Sequence, residues 1–283
     1  MKGTESRRVY LTGFNAVRLI AACFVIVDHI EQVKHFAGIA PNVWATRILH
    51  SMGSESVNLF FVLSGFLITY LLLREKRQRS TISVKDFYIR RLLRIAPLYL
   101  LTVTLSLVVA PLVTPLWMRN GSTPAASLLA DYFSDLSHHY LFKLFLFYFA
   151  MPHVALALFP RAPFCAQSWS VGVEENFYLA WPWVLRSWSK HLTRVAVGII
   201  LLKLALVVAF VKFPRVVAFG NPTLMGLHSS VMEFLEQYRI ESMAIGALGA
   251  RAFFENQKWL RIVVNPSVTR ASLPLLIVSL LFG

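Results

Sequence analysis

Cysteine is nearly absent from the chain. Cys23 and Cys165 are two residues in 283, too few for a disulfide framework, and their spacing does not suit a metal site. Charge is scarce too: 15% of residues are charged and 57% are apolar, which excludes an ordinary soluble domain and describes a polytopic membrane protein. Acidic side chains are scarcest, 14 against 28 basic ones, for a formal charge of +14. Such an excess in a soluble protein would point to nucleic acid. Here Lys and Arg cluster between apolar runs, where they set topology, so no nucleic-acid partner is expected. The histidines are scattered without a recurring ligand spacing, and no bound metal is expected. Ile20-Ala21-Ala22-Cys23 imitates a lipoprotein cleavage site, but Arg18 interrupts the apolar core that a signal peptide needs.

What is present is a series of apolar segments: Gly13 to Val33, Val57 to Leu73, Ile95 to Val113, Val173 to Leu185, Val195 to Phe213 and Glu233 to Phe254. Tyr140 to Phe159 is also apolar and aromatic, but Lys143, Pro152 and His153 make it a re-entrant or broken helix rather than a full crossing. Thr114 to Ser127, rich in Pro, Gly and Ser, reads as an outer loop. The expected fold is all-α, one membrane-embedded domain over residues 1–283. It is a polytopic transmembrane helical bundle of about seven to eight hydrophobic segments. The last of these, Ala271 to Gly283, is too short to cross, so the chain is either truncated or ends in a partial helix.

Basic residues orient the bundle. Lys2, Arg7 and Arg8 precede the first span and place the N-terminus in the cytoplasm. The cluster Arg74, Lys76, Arg77, Arg79, Lys85, Arg90, Arg91 and Arg94 marks a second cytoplasmic point, and Arg186, Lys190 and Arg194 a third. Only Arg161 precedes the fourth clear span, which puts Ser170 and Glu174 near the outer surface. Arg251, Lys258, Arg261 and Arg270 return to the inside. A multi-pass protein of the inner cell membrane, in contact with membrane lipids, is the expected location.

The first span carries Arg18, Asp28 and His29, and an ionisable residue inside a span is a functional hypothesis by default. Arg18 and His29 are separated by about 20° in azimuth and roughly 16 Å in height, so both can face one polar channel. Three further patterns follow: FFVLSGFLIT at Phe60 to Thr69, FYIRRLLRIAP at Phe87 to Pro97, and WSVGVEENFYLAWP at Trp169 to Pro182. Within the second, Ser64-Gly65 offers a close helix contact.

Together these four patterns resemble membrane acyltransferase family 3, whose members O-acylate cell-envelope sugars and similar acceptors. The resemblance runs from about Leu11 to Trp183, with weaker support from RIESMAIGALGA at Arg239 to Ala250. It implies catalytic roles for Arg18 and His29 and a site flanked by Ser170, Glu174, Phe177 and Tyr178. It also implies handling of acyl-CoA by Arg91 and Arg94. Departures are Gly172 where a second serine is common, Asn176 where glutamine is common, Asp28 beside the histidine, and the missing final helices.

Elementary chemistry fits these assignments. Acyl transfer from a thioester to a hydroxyl needs a base, and histidine serves near neutral pH. Glu174 is a candidate to orient or share that proton; a packed polar His29 bonding a neighbouring helix is the plainer reading. Arg18 either stabilises a thioester oxygen or donor phosphate or snorkels inward. Arg91 with Arg94, or Arg90 with Arg94, shares a helix face and can clamp phosphate, while lipid headgroups are the alternative ligand. Ser170 reads as a helix N-cap with Glu174 in the first turn. Trp169, Phe177, Tyr178, Trp181 and Trp183 suit a membrane interface and could line a sugar site.

The expected function is therefore an integral-membrane O-acyltransferase with no permanently bound cofactor. Acyl-CoA, acetyl-CoA above all, is the donor, and a hydroxyl of an envelope polysaccharide or glycolipid is the acceptor. The competing expectation is a proton-coupled transporter or flippase using Arg18, His29 and Glu174 as a pathway. No internal repeat of the kind many transporters show is evident in the sequence.

Overall fold

The computed structural model describes residues 13–36, 39, 46–113, 139–159, 165–212, 222–256 and 265. The N-terminal basic residues, the loop 114–127, Arg161, Lys258, Arg261, Arg270 and the terminal segment 271–283 lie outside the described residues. Regular structure among the described residues is helical throughout. The chain runs α1 (Phe14–Phe36), α2 (Thr46–Arg79), α3 (Val84–Thr104), α4 (Tyr140–Tyr148) and α5 (Pro152–Leu158). It continues through α6 (Trp169–Trp188), α7 (Leu192–Lys212), α8 (Pro222–Gln237) and α9 (Ile240–Phe254).

Among the described residues, three stretches are long and apolar enough to cross a membrane: His50–Arg79, Val84–Val113 and Ala166–Val211. The last is two helices, α6 and α7, joined by the 3-10 turn Ser189–His191. Helix α1, 23 residues or about 35 Å long, is long enough as well. Arg18, Asp28, Glu31 and Lys34 keep it too charged to join that set.

Helix α2 is the hub. Helix α1 runs antiparallel to it, with Phe14 5.3 Å from Phe66 at one end and Asp28 3.2 Å from His50 at the other. On another side α9 comes into backbone contact, as the Ser64-Gly65 pair leads one to expect. A Cβ on Gly65 would sit 2.1 Å from the Met243 carbonyl oxygen, and one on Gly246 2.0 Å from that of Val62. Buried Ala244, Ala247 and Ala250 continue this small-residue seam. Helix α6 joins the same core through Trp181, whose indole N–H donates to Thr69 at 2.7 Å.

The segment 140–159 is broken, as its Pro and polar residues imply: α4 ends, Ala150 adopts a positive φ of 55°, and Pro152 begins α5. The carbonyls freed there need partners inside the bundle. The Tyr99 hydroxyl donates to Phe147 O at 2.6 Å, and Tyr140 to Leu107 O at 2.7 Å inside the π turn Leu105–Val109.

One expected span is corrected. Glu233 to Phe254 is not continuous, because the helix breaks at Tyr238 and Arg239 between α8 and α9. Lys203 of α7 reaches into the break, donating to Leu235 O and to Tyr238 O (2.6 Å), with its ammonium 3.7 Å from Glu241. A buried cation thus satisfies the carbonyls at a helix C-terminus and complements its dipole. Arg239 turns outward from the break to the carbonyl and hydroxyl of Ser54 on α2.

Because Gly65 meets backbone and not a yielding side chain, Gly65→Ala is expected to lower folding stability by about 1–3 kcal/mol. Gly198→Ala, where a Cβ meets open space, should be neutral or stabilising by up to about 1 kcal/mol. Thermal midpoints of the two variants in the same detergent decide; equal midpoints would remove the close approach of α2 and α9.

Candidate functional site

Three of the four sequence patterns bring a polar side chain into contact at one point within the bundle, and Arg18 of the first lies near enough for its charge to act there. Glu174 and Tyr178 lie one turn apart on α6 and face α2 and α3 together. The Glu174 carboxylate accepts from the Ser64 hydroxyl of α2 at 2.7 Å and from the Tyr178 hydroxyl at 2.9 Å. From α3, half-buried Arg91 lies over the rings of Tyr178 (5.2 Å) and Phe87 (5.6 Å). Its charge and that of Arg18 on α1 both bear on Glu174. A carboxylate within apolar packing is tolerable only with such partners, since hydrogen bonds and opposite charge replace lost water.

A second polar point lies near the other end of α1. Asp28 is buried, 7% exposed, and its carboxylate accepts from Gln32 at 2.9 Å and lies 3.2 Å from His50 Nδ1. Gly53 makes room for it, since a Cβ there would come within 2.6 Å of the Asp28 Cβ. His29, the next residue, is turned away from that pair. It faces a cavity of about 390 Å3 whose other lining is Val25, Ile26, Ile30, Val33, Ile39 and Lys34. His29 Nδ1 is buried with no hydrogen-bond partner among the described residues.

This geometry corrects three expectations. Glu174 does not accompany His29: one is bonded at Ser64 and the other adjoins the residue paired with His50, fourteen positions away along α2. At the helical rise that is about 21 Å. The cavity that His29 faces is lined, apart from Lys34, by aliphatic side chains among the described residues and is not a polar channel. Ser170 is no N-cap. The 3-10 turn Ala166–Ser168 leads straight into α6, so Ser170 falls inside the helix and donates to Gln167 O at 3.2 Å. Ser168 holds the cap position, and its hydroxyl donates to Cys165 O at 2.6 Å.

The other candidates divide. Tyr178 is in the cluster. Phe177 is 2% exposed and stacks on Trp181 at 4.5 Å, so its face is spent on core packing. Arg94 is exposed and adds its charge beside Arg91, whereas Arg90 turns to Glu75, 3.7 Å away.

His153 was not singled out from the sequence as a site residue. It is 1% exposed, lies 3.0 Å from the Asn176 amide through Nε2, and packs against the ring of Tyr238 at 5.4 Å. Its Nδ1 occupies the space a side chain at Gly172 would need, 2.4 Å from an ideal Cβ. The two departures within the fourth pattern, Gly172 and Asn176, are one turn apart and both accommodate this imidazole. Among the described residues, no group of three or more His, Cys, Asp or Glu side chains could hold a metal.

A family model described as an acyltransferase domain matches residues 11–283. The chain is similar to a peptidoglycan O-acetyltransferase of Listeria monocytogenes, 27% identical over 207 residues, which cover 70% of this chain and 29% of the relative. It is 28% identical over 176 residues to a putative O-acetyltransferase of Staphylococcus aureus, covering 62% of this chain and 25% of that protein. An uncharacterized protein of Haemophilus influenzae is 26% identical over 192 residues, 68% of this chain and 72% of its own length. The chain thus spans less than a third of the first two relatives. No solved structure matches it.

Replacing Glu174 separates its charge from its hydrogen bonds. Glu174→Ala strands the Ser64 and Tyr178 hydroxyls and should cost about 1–3 kcal/mol of stability. Glu174→Gln keeps an accepting oxygen and should cost less. Thermal unfolding of both in nanodiscs is the check, and parent-like midpoints for the two would mean that the cluster holds nothing together.

Proposed function

The chain belongs to the acyltransferase family, and from that premise we propose that it is an integral-membrane O-acyltransferase moving an acetyl group from cytoplasmic acetyl-CoA to a hydroxyl of an envelope glycan or glycolipid. The supporting observation is that three of the four patterns meet at one place, Ser64, Arg91 and the Glu174–Tyr178 pair, with the charge of Arg18 acting there. The N-terminus is cytoplasmic in this reading, and the protein sits in the inner membrane.

Arg91 and Arg94 bind the donor's phosphates through guanidinium forks. Glu174 acts on this end of the reaction as a positioning residue for Arg91 and Arg18; at about 21 Å it is too far to orient His29. The donor's thioester arm extends from the arginines along α1 to His29. There the acceptor hydroxyl attacks the thioester carbonyl carbon, the new C–O bond forms as the C–S bond breaks, and His29 takes the hydroxyl proton and passes it to the departing thiolate. Ser170 and the exposed Trp183 are left to the membrane interface.

His29→Ala is expected to lower acetyl transfer about a hundred- to ten-thousand-fold, with membrane insertion and donor binding retained. His29→Asn should be nearly as inactive, because an amide preserves a packing hydrogen bond but cannot accept and release a proton at neutral pH. Transfer to envelope glycan at matched expression is the readout, and a near-parental rate for the Asn variant returns His29 to a packing role.

The double substitution Arg91→Ala, Arg94→Ala should weaken acetyl-CoA binding to purified protein at least tenfold while the remaining basic residues still fix topology. Unchanged affinity would reassign the pair to lipid headgroups.

A further inference from the structure

The reaction above makes no use of the Asp28 carboxylate, which is the buried half of an uneven pair. Its side chain is 10% exposed, and that of its partner His50 is 71% exposed. Oδ1 lies 3.2 Å from His50 Nδ1, and Oδ2 accepts from the amide of exposed Gln32 at 2.9 Å. A carboxylate partner fixes the imidazole hydrogen on Nδ1, so the neutral ring keeps its lone pair on Nε2. Among the described residues, neither His50 Nε2 nor the Gln32 amide oxygen has a hydrogen-bond partner. As a clasp between α1 and α2 the arrangement is poor. An ion pair with one partner so exposed contributes little to stability, burying a carboxylate is costly, and Gly53 has to lack a side chain to admit it, with Oδ2 2.8 Å from an ideal Cβ there. What it does well is hold two planar groups, one from each helix, with an acceptor left over on each.

Charge and position narrow the ligand. The adjacent cation among the described residues, Lys34, is paired with Glu31 at 2.5 Å, and the carboxylate between the two acceptors repels an anion. Acceptors set around a carboxylate suit a neutral ligand that donates through several hydroxyls, as a sugar does. Lys76, Arg77 and Arg79 occupy the last turn of α2, so in the topology proposed above His50, at the opposite end, faces the outer side, where an envelope glycan is met. His29 follows Asp28 directly, and a sugar held at His50 stands level with it along α1. We propose that His50 and Gln32, both oriented by Asp28, form a subsite for the acceptor glycan and accept hydrogen bonds from adjacent hydroxyls of a neutral sugar. This rests on the acyltransferase reading and names the acceptor-binding residues for it. The two side chains bind the sugar and take no proton; that step stays with His29.

Substitutions separate a subsite from a clasp. His50→Lys still pairs with Asp28 but has no acceptor, whereas His50→Gln offers Asp28 an N–H and keeps an oxygen outward. Neutral methyl glycosides and their monodeoxy analogues are titrated onto the full chain in nanodiscs, without acetyl-CoA, and binding is read by saturation-transfer NMR. The expected result is a glycoside whose binding to the parent weakens about three- to tenfold on loss of one hydroxyl, the contribution of one neutral hydrogen bond. In His50→Lys the intact glycoside binds no better than that analogue, and in His50→Gln the difference returns. Gln32→Leu, which leaves the Asp28–His50 pair in place, should remove the penalty for a neighbouring hydroxyl. A parent that binds no glycoside of the panel, or deoxy penalties unchanged in either His50→Lys or Gln32→Leu, overturns the proposal and leaves a clasp. Binding is measured without turnover: glycan acetylation with an unaltered acceptor KM in His50→Lys sinks this proposal alone, and glycoside binding without any transfer from acetyl-CoA sinks the acyltransferase reading alone.

Discussion

A carboxylate held between apolar helices fixes what must surround it. Glu174 has two hydroxyl donors and two guanidinium charges around it, and these come from α1, α2, α3 and its own helix. Removing any one of those helices would leave charge in a medium that cannot solvate it. The angle of α6 is fixed with it. Trp181 bonded to Thr69 and Phe177 stacked behind it hold the helix face that carries Glu174 and Tyr178. The hydrogen bonds that Glu174 accepts from Ser64 and Tyr178 thus also fix how α6 packs on α2.

The same scarcity of water governs the backbone. Helices that stop inside the bundle leave carbonyls that only protein can satisfy, and long side chains from neighbouring helices do so here. Lys76 donates to the carbonyls of Leu185 and Arg186 and to the Ser189 hydroxyl near the end of α6. Lys203 does the equivalent at the break between α8 and α9, and Tyr99 at the end of α4. Along α6 the Tyr88 hydroxyl donates to the Leu179 carbonyl at 2.5 Å. The basic residues between the apolar runs therefore have two uses. Beside the topological one expected from the sequence, residues such as Lys76 fold back to finish a helix.

Much of this was legible in the sequence for a simple reason: apolar runs and intramembrane charges are local signals. The helical class, the broken segment at 140–159 and the close contact at Ser64-Gly65 all follow from neighbouring residues. The levels at which helices meet do not. Arg18 and His29 share an azimuth on α1, and that is a property of one helix. Which of them stands beside Glu174 depends on how α1, α2 and α6 are staggered, and no single-helix period encodes stagger. The α8–α9 break was missed because its cause, Lys203, lies on a different helix some 35 positions away from Tyr238. Ser170 was misplaced because α6, continuing the 3-10 turn before it, begins at Trp169, two residues earlier than a cap at Ser170 would allow. His153 left a trace in Gly172 and Asn176, two departures one turn apart, but its own position on the short α5 carried no period to read.

The paired glycines on α2 and α9 bear on how the protein can move. Each removes a side chain exactly where the opposite helix presents a carbonyl, once in each direction. Sliding either helix by a single residue would drive a side chain into backbone, so the two behave as one rigid post. Helix α1, by contrast, meets α2 through side chains, Phe14 on Phe66 at one end and Asp28 beside His50 and Gly53 at the other. Side chains can change rotamer where a backbone carbonyl cannot give way, so α2 and α9 form the fixed reference against which the contacts of α1 are set.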